Sequence, residues 1–585
     1  MDKTIINIVY SKCSKISECL INEIYKHFTY NLDEKFSINL GYTICLYEIS
    51  EDLPQNFHHN ALTIFLISEH FFVNTEKITK IAKECSNDTI LPIGLCESAH
   101  RLFEKINIVK LNHKQIEKEK YKLLCIIAQK FINKSVHVFL SYYRTESENF
   151  CRKIQNIISS IPDFNGFVDT TDISYGKDIQ TEIDSSLNDG LLMCISTDKY
   201  SERIWCAHEL IYAKEKDIPI IILDCLSNCE TRRSPYSGNV PVYKIGSVSE
   251  ESVTTALFLL LKEKLRKDIN KKTTDKNEVY YLWKAPELSR IMQIKNDNNK
   301  VSKFVYPAPP LPICEIEYYK SLVEGCEFIL DNDLQNLQLK QKINVAISLS
   351  DTQSNKELHP NYLNSVISEL IRYLIYGNYQ ILYGGDWRKS GYTELILDYI
   401  TAYKHHHKYT QSKLVNYFVN LKNEDNINLL AKIYSYGEIK FIDPIYTNDK
   451  SIDRAQSLTK MRTELIKDTD ALISLAGDMS SERIPGIVEE VCKAIFYKKP
   501  VFLLGAAGGA TRWLIDRIVN QDIESINLNG NHKCIDEIKS ALKNFTIENL
   551  SDLNKLQSAE NEKLFYSYDI KEVINTLFNG LMRIQ

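Results

Sequence analysis

The sequence predicts an α/β protein built from three doubly wound units with parallel sheets. Short apolar segments of strand length alternate with segments of helical periodicity through residues 1–130, 134–267 and 341–585. Such alternation indicates βαβ units, in which crossover helices join parallel strands. A length of 585 residues accommodates three or four domains. We therefore expect three units of this class, with residues 268–340 as a linker or docking segment.

The first two units look like diverged copies of one plan. TIFLISEHFF (63–72) parallels LLMCISTDKY (191–200), and TILPIGLC (89–96) parallels DIPIIILDC (217–225) with one gap. Two matching segments in the same order indicate an internal duplication. In this alignment three residues of the first copy replace three of the second: Val73, Lys77 and Ile81 stand in place of Ser201, Trp205 and Glu209.

Composition limits the classes of function. Hydrophobic content is 44% and net charge is −5, so the chain lacks the basic surplus of a nucleic-acid binder. The 15 cysteines show neither a CxxC pair nor zinc-type spacing, which predicts thiols in a reducing cytoplasm. The first strand (Thr4 to Tyr10) leaves no room for a signal peptide, and no apolar run reaches the ~20 residues of a membrane span. We expect a cytoplasmic protein with no nucleic-acid or membrane partner.

A metal site is not expected either. His405, His406 and His407 are consecutive, and consecutive residues of a helix point in different directions, which disfavours joint chelation. A solvated surface run explains them better.

The stretch from Ser196 to Asp224 combines a helix with a buried strand. Ser201 is a candidate N-cap, since its hydroxyl can accept a hydrogen bond from a free amide of the first turn. The helix is expected to run to about Lys216. Its buried stripe is expected at Ile204, Ala207, Leu210 and Ile211.

One carboxylate and one indole lie on the same face of this helix. Trp205 and Glu209 are four residues apart, a spacing that brings side chains together. From this stretch alone, a surface glutamate on an amphipathic helix explains Glu209 better than a catalytic role does. The flanking segments decide between the two.

Three segments together point to a family. VFLSYYR (138–144), FVDTTDISYGKDI (167–179) and SERIWCAHEL (201–210) occur in this order and resemble the three boxes of a TIR domain. YPAPPLP (306–312) is similar to a segment that often follows bacterial TIR domains. In catalytic members, the glutamate of the WCxxE box is essential for cleaving NAD⁺ between nicotinamide and ribose. The resemblance implies a TIR domain at 134–267 with Glu209 as its catalytic residue, and a degenerate TIR-like domain at 1–130.

The chemistry of this bond is compatible with a single carboxylate. Cleavage develops an oxocarbenium-like ribose, while nicotinamide leaves as a neutral molecule. A general acid for the leaving group is therefore unnecessary, unlike in glycosidases with paired carboxylates. A carboxylate that hydrogen-bonds the ribose hydroxyls and faces the developing cation suffices. NAD⁺ enters as substrate and no separate cofactor is implied. Trp205 has two interpretations, a wall that excludes water or simple core packing.

Further residues of this unit are candidates for substrate binding. Ser141 and Arg144 end its first strand, at the edge where doubly wound sheets bind ligands. Arg144 suits a phosphate, with a surface salt bridge as the alternative. In TIR domains, the loop that carries Asp172, Tyr175 and Lys177 here contacts neighbours and gates substrate, so assembly is the favoured role of these three. The substrate-binding candidates are Ser141, Arg144, Asp172, Lys177, Ser201 and Trp205.

The C-terminal unit carries glycines after three strands. The segments are YGGDWRKSGYTE (383–394), LAGDMSSERIPGIVEE (475–490) and LLGAAGGATR (503–512). Glycines at strand ends let backbone amides approach phosphates, and nearby helix starts favour anions. Neither GxxxxGK[ST] nor GxGxxG is present. The residues expected to bind a nucleotide signal are Gly384, Gly385, Trp387, Arg388, Arg462, Gly477, Arg483, Gly486, Glu490, Gly508 and Gly509.

Residues 341–545 resemble the SLOG superfamily, most clearly in KMRTELIKDTDALISLAGD (460–478). Its enzymatic relatives, the Lonely-guy phosphoribohydrolases, carry PGGxGTxxE. Here Pro485-Gly486 runs directly to Glu489-Glu490 without the middle glycines, which favours ligand sensing over hydrolysis. In the Thoeris family of bacterial defence systems, SLOG domains sense a cyclic ADP-ribose-type signal.

The resemblances together imply three flavodoxin-like or Rossmann-like units: TIR-like, TIR and SLOG. They imply a bacterial antiviral defence effector that depletes NAD⁺ when a nucleotide signal, such as a cyclic ADP-ribose isomer or a cyclic nucleotide, binds residues 341–585 and the TIR domains self-associate. Two alternatives stay open, a nucleotide phosphoribohydrolase in the SLOG unit and a non-enzymatic TIR scaffold.

Overall fold

The chain forms two compact units of the α/β class, one made of most of residues 1–331 and the other mainly of Asn332–Gln585. Parallel sheets flanked by helices dominate both units, which confirms the predicted fold class. In a computed structural model, the described residues are 2–29, 40–49, 57–85, 89–101, 107–111, 115–167, 190–227, 237–270, 278–307, 311, 313–330, 343–351, 358–377, 379–385, 388, 391–403, 413–419, 427–447, 452–479, 484–521 and 532–584.

The N-terminal copy folds around a five-stranded sheet. Strands β1 to β5 are Asp2–Tyr10, Thr43–Glu48, Ala61–Ile67, Ile90–Gly94 and Val109–Lys110. Helices α1 to α3 are Lys15–Phe28, Thr75–Glu84 and Ile116–Ile132. The strand order is β2-β1-β3-β4-β5. Strand β3 is buried along its whole length, as expected for a strand with helices on both faces.

The second copy repeats this topology. Strands β6 to β10 are Val136–Tyr142, Phe164–Phe167, Leu191–Ser196, Ile220–Asp224 and Val242–Lys244. Helices α4 to α6 are Arg144–Ser159, Ile204–Glu215 and Glu250–Asn270. The strand order is β10-β9-β8-β6-β7. Numbered within each copy, both sheets have the flavodoxin-like order 2-1-3-4-5, which agrees with an internal duplication. The helix predicted at 180–187 lies outside the described residues.

The two copies pack through equivalent helices, α3 and α6, the last of each copy. The ring of Phe258 lies 5.8 Å from that of Phe28, and Cys125 Sγ donates to the carbonyl of Thr254 at 3.4 Å. Phe28, Cys125, Thr254 and Phe258 are all completely buried. This apolar interface makes the N-terminal copy part of the same compact unit as the second copy.

Within the predicted linker or docking segment, residues 279–330 form a small sheet of their own. Strands β11 to β13 are Val279–Tyr281, Lys303–Tyr306 and Glu327–Leu330, and pair in parallel. Helices α7 and α8 are Leu288–Asp297 and Ile313–Leu322. Ile291 and Phe304 are completely buried in its core. Its strands have only three or four residues each, too few for sequence periodicity to reveal them.

The C-terminal unit holds a six-stranded parallel sheet and a two-stranded antiparallel ribbon. Strands β14 to β21 are Asn344–Ser350, Gln380–Gly384, Leu414–Val419, Gly437–Ile442, Ile445–Tyr446, Ile452–Asp453, Ala471–Ala476 and Val501–Leu504. Helices α9 to α18 are Tyr362–Tyr376, Tyr392–Tyr403, Ile427–Tyr436, Arg454–Lys467, Gly486–Phe496, Gly509–Asn520, His532–Leu542, Ile547–Asn554, Ser558–Tyr566 and Ile570–Arg583. The sheet order is β17-β16-β15-β14-β20-β21, so the winding reverses between β14 and β20. None of the helices within the described ranges is long and apolar enough to cross a membrane.

A buried histidine makes the C-terminal unit sensitive to acid. His359 is 5% exposed, and its Nδ1 accepts a hydrogen bond from the backbone N–H of Asn361 at 3.2 Å. Burial lowers the pKa of His359 from 6.5 to about 4. The folded state therefore binds fewer protons than the unfolded state between these values. The stability that this neutral imidazole contributes is complete above the unfolded pKa and is lost as pH falls towards 4.

We expect the free energy of unfolding of the C-terminal unit to fall by about 1 kcal/mol between pH 7.5 and 5.5 on account of His359 alone. Urea unfolding of wild type and of His359→Gln at both pH values measures this contribution. The variant should lack that part of the pH dependence. Equal pH dependence in the two proteins would contradict the assignment.

Candidate functional site

The first candidate site lies at the carboxyl ends of β6 and β8, which are neighbours in the sheet of the second copy. In the register of this parallel pair, Ser141 lies beside Cys194. The winding of the sheet reverses between these strands, which is where doubly wound folds bind ligands. Helix α5, which follows β8, carries Glu209.

The start of α5 differs from the prediction. Tyr200–Glu202 form a single 3₁₀ turn, the N-cap of α5 is Arg203, and no side chain makes a capping hydrogen bond. Ser201 lies in this turn and is exposed. The N-cap prediction for Ser201 is therefore wrong, because the chain makes an extra turn before the helix begins. A role of Ser201 in substrate binding stays a prediction.

The buried face of α5 also differs from the prediction. It consists of Cys206, Glu209, Leu210 and Ala213. Of the predicted stripe, Ile204 is 81% exposed and Ile211 is 38% exposed. The helix is rotated relative to its apolar pattern, so that a carboxylate faces inwards while two isoleucines face solvent.

Glu209 is 4% exposed, which is rare for a carboxylate. Burial is the main cause that raises the pKa of Cys194 and of Tyr200, and the nearby charge of Glu209 raises both further. Trp205, one helical turn earlier, is 47% exposed. This exposure rules out simple core packing for the indole, and leaves its other interpretation, a wall beside the carboxylate, as a prediction.

Tyr200 is a residue of this site that sequence reasoning missed. Its ring is 1% exposed, and its hydroxyl shares a 2.7 Å hydrogen bond with Ser141 Oγ. This bond joins the end of β6 to the turn that precedes α5. Ser141, itself 1% exposed, is therefore part of the frame that positions the helix start. In the sequence, Tyr200 is an aromatic residue soon after a predicted strand, and this pattern is too common to mark a site residue.

Of the remaining candidates of the second copy, the structure describes Arg144. Arg144 is the first residue of α4 and is exposed. Glu146, in the first turn of α4, accepts a hydrogen bond from the backbone N–H of Lys199 at 3.2 Å, which ties α4 to the segment after β8. Asp172, Tyr175 and Lys177 lie outside the described residues.

A buried carboxylate at the end of a parallel sheet can stabilise a developing positive charge. Removal from water strengthens its interaction with a cationic transition state, and the frame around it limits reorganisation. In the first copy, the aligned position is Ile81 on α2, which is 1% exposed. The first copy therefore has no carboxylate at this place.

The second candidate site lies in the C-terminal unit, between the carboxyl ends of β14 and β20. Helix α13 begins after β20 and α14 after β21, so the N-termini of both helices lie at this edge of the sheet. Helix N-termini attract anions through their free amides and their dipoles. The N-cap of α14 is Gly508 with φ +80°, a conformation that favours glycine.

Arg462 lies between two glutamates at this edge. Its Nη1 donates to Glu489 Oε2 at 2.6 Å, and its Nε lies 3.5 Å from Glu490 Oε1. Ser348 Oγ, on β14, donates to Glu490 Oε2. Burial raises the pKa of Glu490, and the charge of Arg462 opposes this effect. The cluster of Arg462 with the two glutamates is therefore largely buried and hydrogen-bonded, and Lys493 Nζ, 3.6 Å from Glu489 Oε1, adds a second cation to it.

This arrangement changes the interpretation of Arg462, which was expected to bind phosphate. Two carboxylates already neutralise its guanidinium, so phosphate is better placed at the helix N-termini. Gly486 packs directly on the guanidinium, since a Cβ there would lie 2.5 Å from Arg462 Nη2. Other glycines of the prediction lie at the same edge, at the end of β15 and just after it, after β20 and at the start of α14: Gly384, Gly385, Gly477 and Gly509.

Arg388 is an exposed residue of the C-terminal unit. Its Nη1 donates to Asp351 Oδ2 at 2.7 Å, and Tyr392 donates to Asp351 Oδ1 at 2.8 Å. The Arg388 hydrogen bond is the main cause that lowers the pKa of Asp351. Arg388 and Asp351 are 62% and 63% exposed, so their ion pair contributes little to stability. Trp387, Arg483 and the histidines 405–407 lie outside the described residues.

Comparison with family models identifies one region of the chain. Residues 339–534 match the family described as SLOG cluster2. This match confirms the predicted SLOG part, which fits a nucleotide-binding sensor or a phosphoribohydrolase-like role. Among curated proteins, none matches the chain.

Proposed function

We propose that this chain is an NAD⁺ hydrolase whose activity is controlled by a nucleotide bound to its C-terminal unit. The observation that carries the proposal is Glu209, a carboxylate with 4% exposure on α5, the helix that follows β8 at the switch point of the second sheet. The segments 138–144, 167–179 and 201–210 resemble the three TIR boxes. This resemblance is the reason for assigning NAD⁺ cleavage to Glu209. In this proposal Glu209 faces the ribose and stabilises the oxocarbenium-like transition state as nicotinamide leaves.

The control part of the proposal is supported by the second site. The SLOG cluster2 match and the two helix N-termini beside the switch point suit a phosphorylated nucleotide. Glu490 and Ser348, which are hydrogen-bonded to each other, suit the hydroxyls of a ribose. Binding would favour self-association of the TIR units, and the resulting loss of NAD⁺ would serve antiviral defence in a bacterial cytoplasm.

The direct test is nicotinamide release by the full chain. Purified protein is incubated with NAD⁺ alone and with cyclic ADP-ribose isomers or cyclic nucleotides, and nicotinamide is measured over time. Cleavage that depends on one of these nucleotides supports both parts of the proposal. Constitutive cleavage would remove the control part of the proposal. No cleavage with any of these nucleotides would leave the TIR unit, residues 134–267, as a scaffold.

A phosphoribohydrolase in the C-terminal unit is the second candidate function. One observation favours it: Glu490, which pairs with Arg462, lies beside a glycine at a strand end. A Cβ on Gly384 would lie 3.8 Å from Glu490 Oε1. Incubation with nucleoside 5′-monophosphates decides the matter. Release of ribose 5-phosphate that is lost in Glu490→Gln would assign hydrolysis to this site, whereas binding without release would assign sensing.

Arg388→Ala should raise the nucleotide concentration that gives half-maximal activity by about tenfold, because a charged hydrogen bond to phosphate is lost. Activity at saturating nucleotide should be close to wild type, since Glu209 is unchanged. Arg583→Ala is a matched control, because Arg583 is also a surface arginine paired with a carboxylate, Glu560. An unchanged half-maximal concentration in Arg388→Ala would remove this residue from the nucleotide site.

A further inference from the structure

The small sheet of residues 279–330 contacts the helix that carries Glu209. Lys214, in the last turn of α5, pairs with Glu287, the N-cap of α7, at 2.8 Å. The two side chains are only 18% and 17% exposed. Glu287 Oε1 also accepts a hydrogen bond from the backbone N–H of Asn239 at 3.1 Å. This carboxylate therefore joins α5, α7 and the segment that leads into β10.

Arg290, on α7, holds the carboxyl-terminal end of α5 directly. Its Nη1 donates to the carbonyl of Glu215 at 2.8 Å, and its Nη2 pairs with Asp217 Oδ2 at 2.5 Å. The Glu215 carbonyl is one of the groups that a helix end leaves without an intrahelical partner. Asp217 has φ +55°, a conformation that few residues other than glycine adopt readily. The guanidinium thus holds the turn between α5 and β9 at the Glu215 carbonyl and at the Asp217 carboxylate.

Polar contacts connect the two parts at this place. A cavity of about 390 Å³ lies between them and is lined by Ile211 and Lys214 from α5 and by Trp283, Pro286 and Arg290 from the small sheet. The ion pairs of Lys214 and Arg290 lie beside this space. The partly buried pairs of Lys214 and Arg290 are less screened by water than surface pairs are.

We infer that the small sheet sets the orientation of α5, with Arg290 and Glu287 as positioning residues for Glu209. The inference rests on the proposed function, in which Glu209 acts on the ribose. Lys214 is five residues from Glu209, about 7.5 Å along the helix at 1.5 Å per residue. A rigid helix transmits a displacement of its last turn over this distance. Misplacement of a catalytic group by about 1 Å lowers a rate by about 100-fold.

The test combines kinetics with hydrogen exchange on the full chain. Arg290→Ala is expected to lower kcat for nicotinamide release by about 10- to 100-fold, with KM changed by less than about twofold. Amide exchange over residues 210–217 should become faster in this variant. Glu287→Gln, which keeps the shape but removes the charge, should show a smaller change of the same kind. Arg290→Lys, which can still pair with Asp217, should recover part of kcat.

Arg152→Ala is the matched control, because Arg152 forms a surface ion pair with Glu148 on α4 and should leave both readouts unchanged. Unchanged exchange over residues 210–217 in Arg290→Ala would refute the inference that the small sheet orients α5, and so would an unchanged kcat. If wild type releases no nicotinamide under any condition, the proposed function fails, while the exchange measurement still decides whether the small sheet holds α5.

Discussion

Glu209→Gln is expected to reduce nicotinamide release from NAD⁺ by about 100- to 1000-fold. Glutamine keeps the shape of the side chain, replaces one acceptor oxygen by an NH2 donor, and removes the negative charge that would face the oxocarbenium-like ribose. Because the carboxylate is 4% exposed, solvent cannot replace that charge. The effect should fall on kcat, since the charge is needed in the transition state more than in the ground state.

The measurement is initial-rate kinetics of nicotinamide release at saturating NAD⁺ and nucleotide, on protein whose fold is checked by circular dichroism. His208→Gln is a matched control, because His208 is the preceding residue on α5 and is exposed. It should keep the wild-type rate. A normal kcat in Glu209→Gln would sink the assignment of this carboxylate.

The sheets were largely predictable from sequence. Strands such as Leu191–Ser196 and Val501–Leu504 are continuous apolar runs, which is how a strand buried on both faces appears in sequence. The duplication was visible because β3 and β8, the central strands of the two copies, have similar composition. The place of α5, the helix after β8 that carries Glu209, and the place of the glycines at strand ends follow from the same pattern.

Features that depend on tertiary contacts were not predictable. Helix α5 turns Glu209 towards the core and leaves Ile204 and Ile211 exposed, which is the opposite of what its apolar pattern predicts. The frame of Tyr200 and Ser141 is formed by residues far apart in the chain, and so is the cluster of Arg462 with its glutamates. A sequence shows charged residues, but it does not show which of them are already paired.

The second large effect is expected at this cluster. Arg462→Ala should destabilise the C-terminal unit by about 3 kcal/mol, because Glu490 loses the guanidinium beside it and Glu489 keeps only the ion pair with Lys493 at 3.6 Å. Glu489 and Glu490 have side-chain exposures of 4% and 13%, so water cannot solvate them well. Burial already raises the pKa of Glu490 in wild type, and loss of the guanidinium should raise it further.

The sign of the pH dependence distinguishes this cause from lost packing. A carboxyl group whose pKa is raised by folding supports the folded state below its unfolded pKa and opposes it as pH rises through the folded pKa. Relative to wild type, the destabilisation of Arg462→Ala should therefore be smaller at pH 5 than at pH 8. Hydrogen exchange over β14 and α13, measured on the full chain at both values, reports the stability of this unit. The double variant Arg462→Ala with Glu490→Gln removes one of the stranded charges and should recover part of the loss at pH 8. Equal destabilisation at both pH values, with no recovery in the double variant, would mean that Arg462 acts by packing alone.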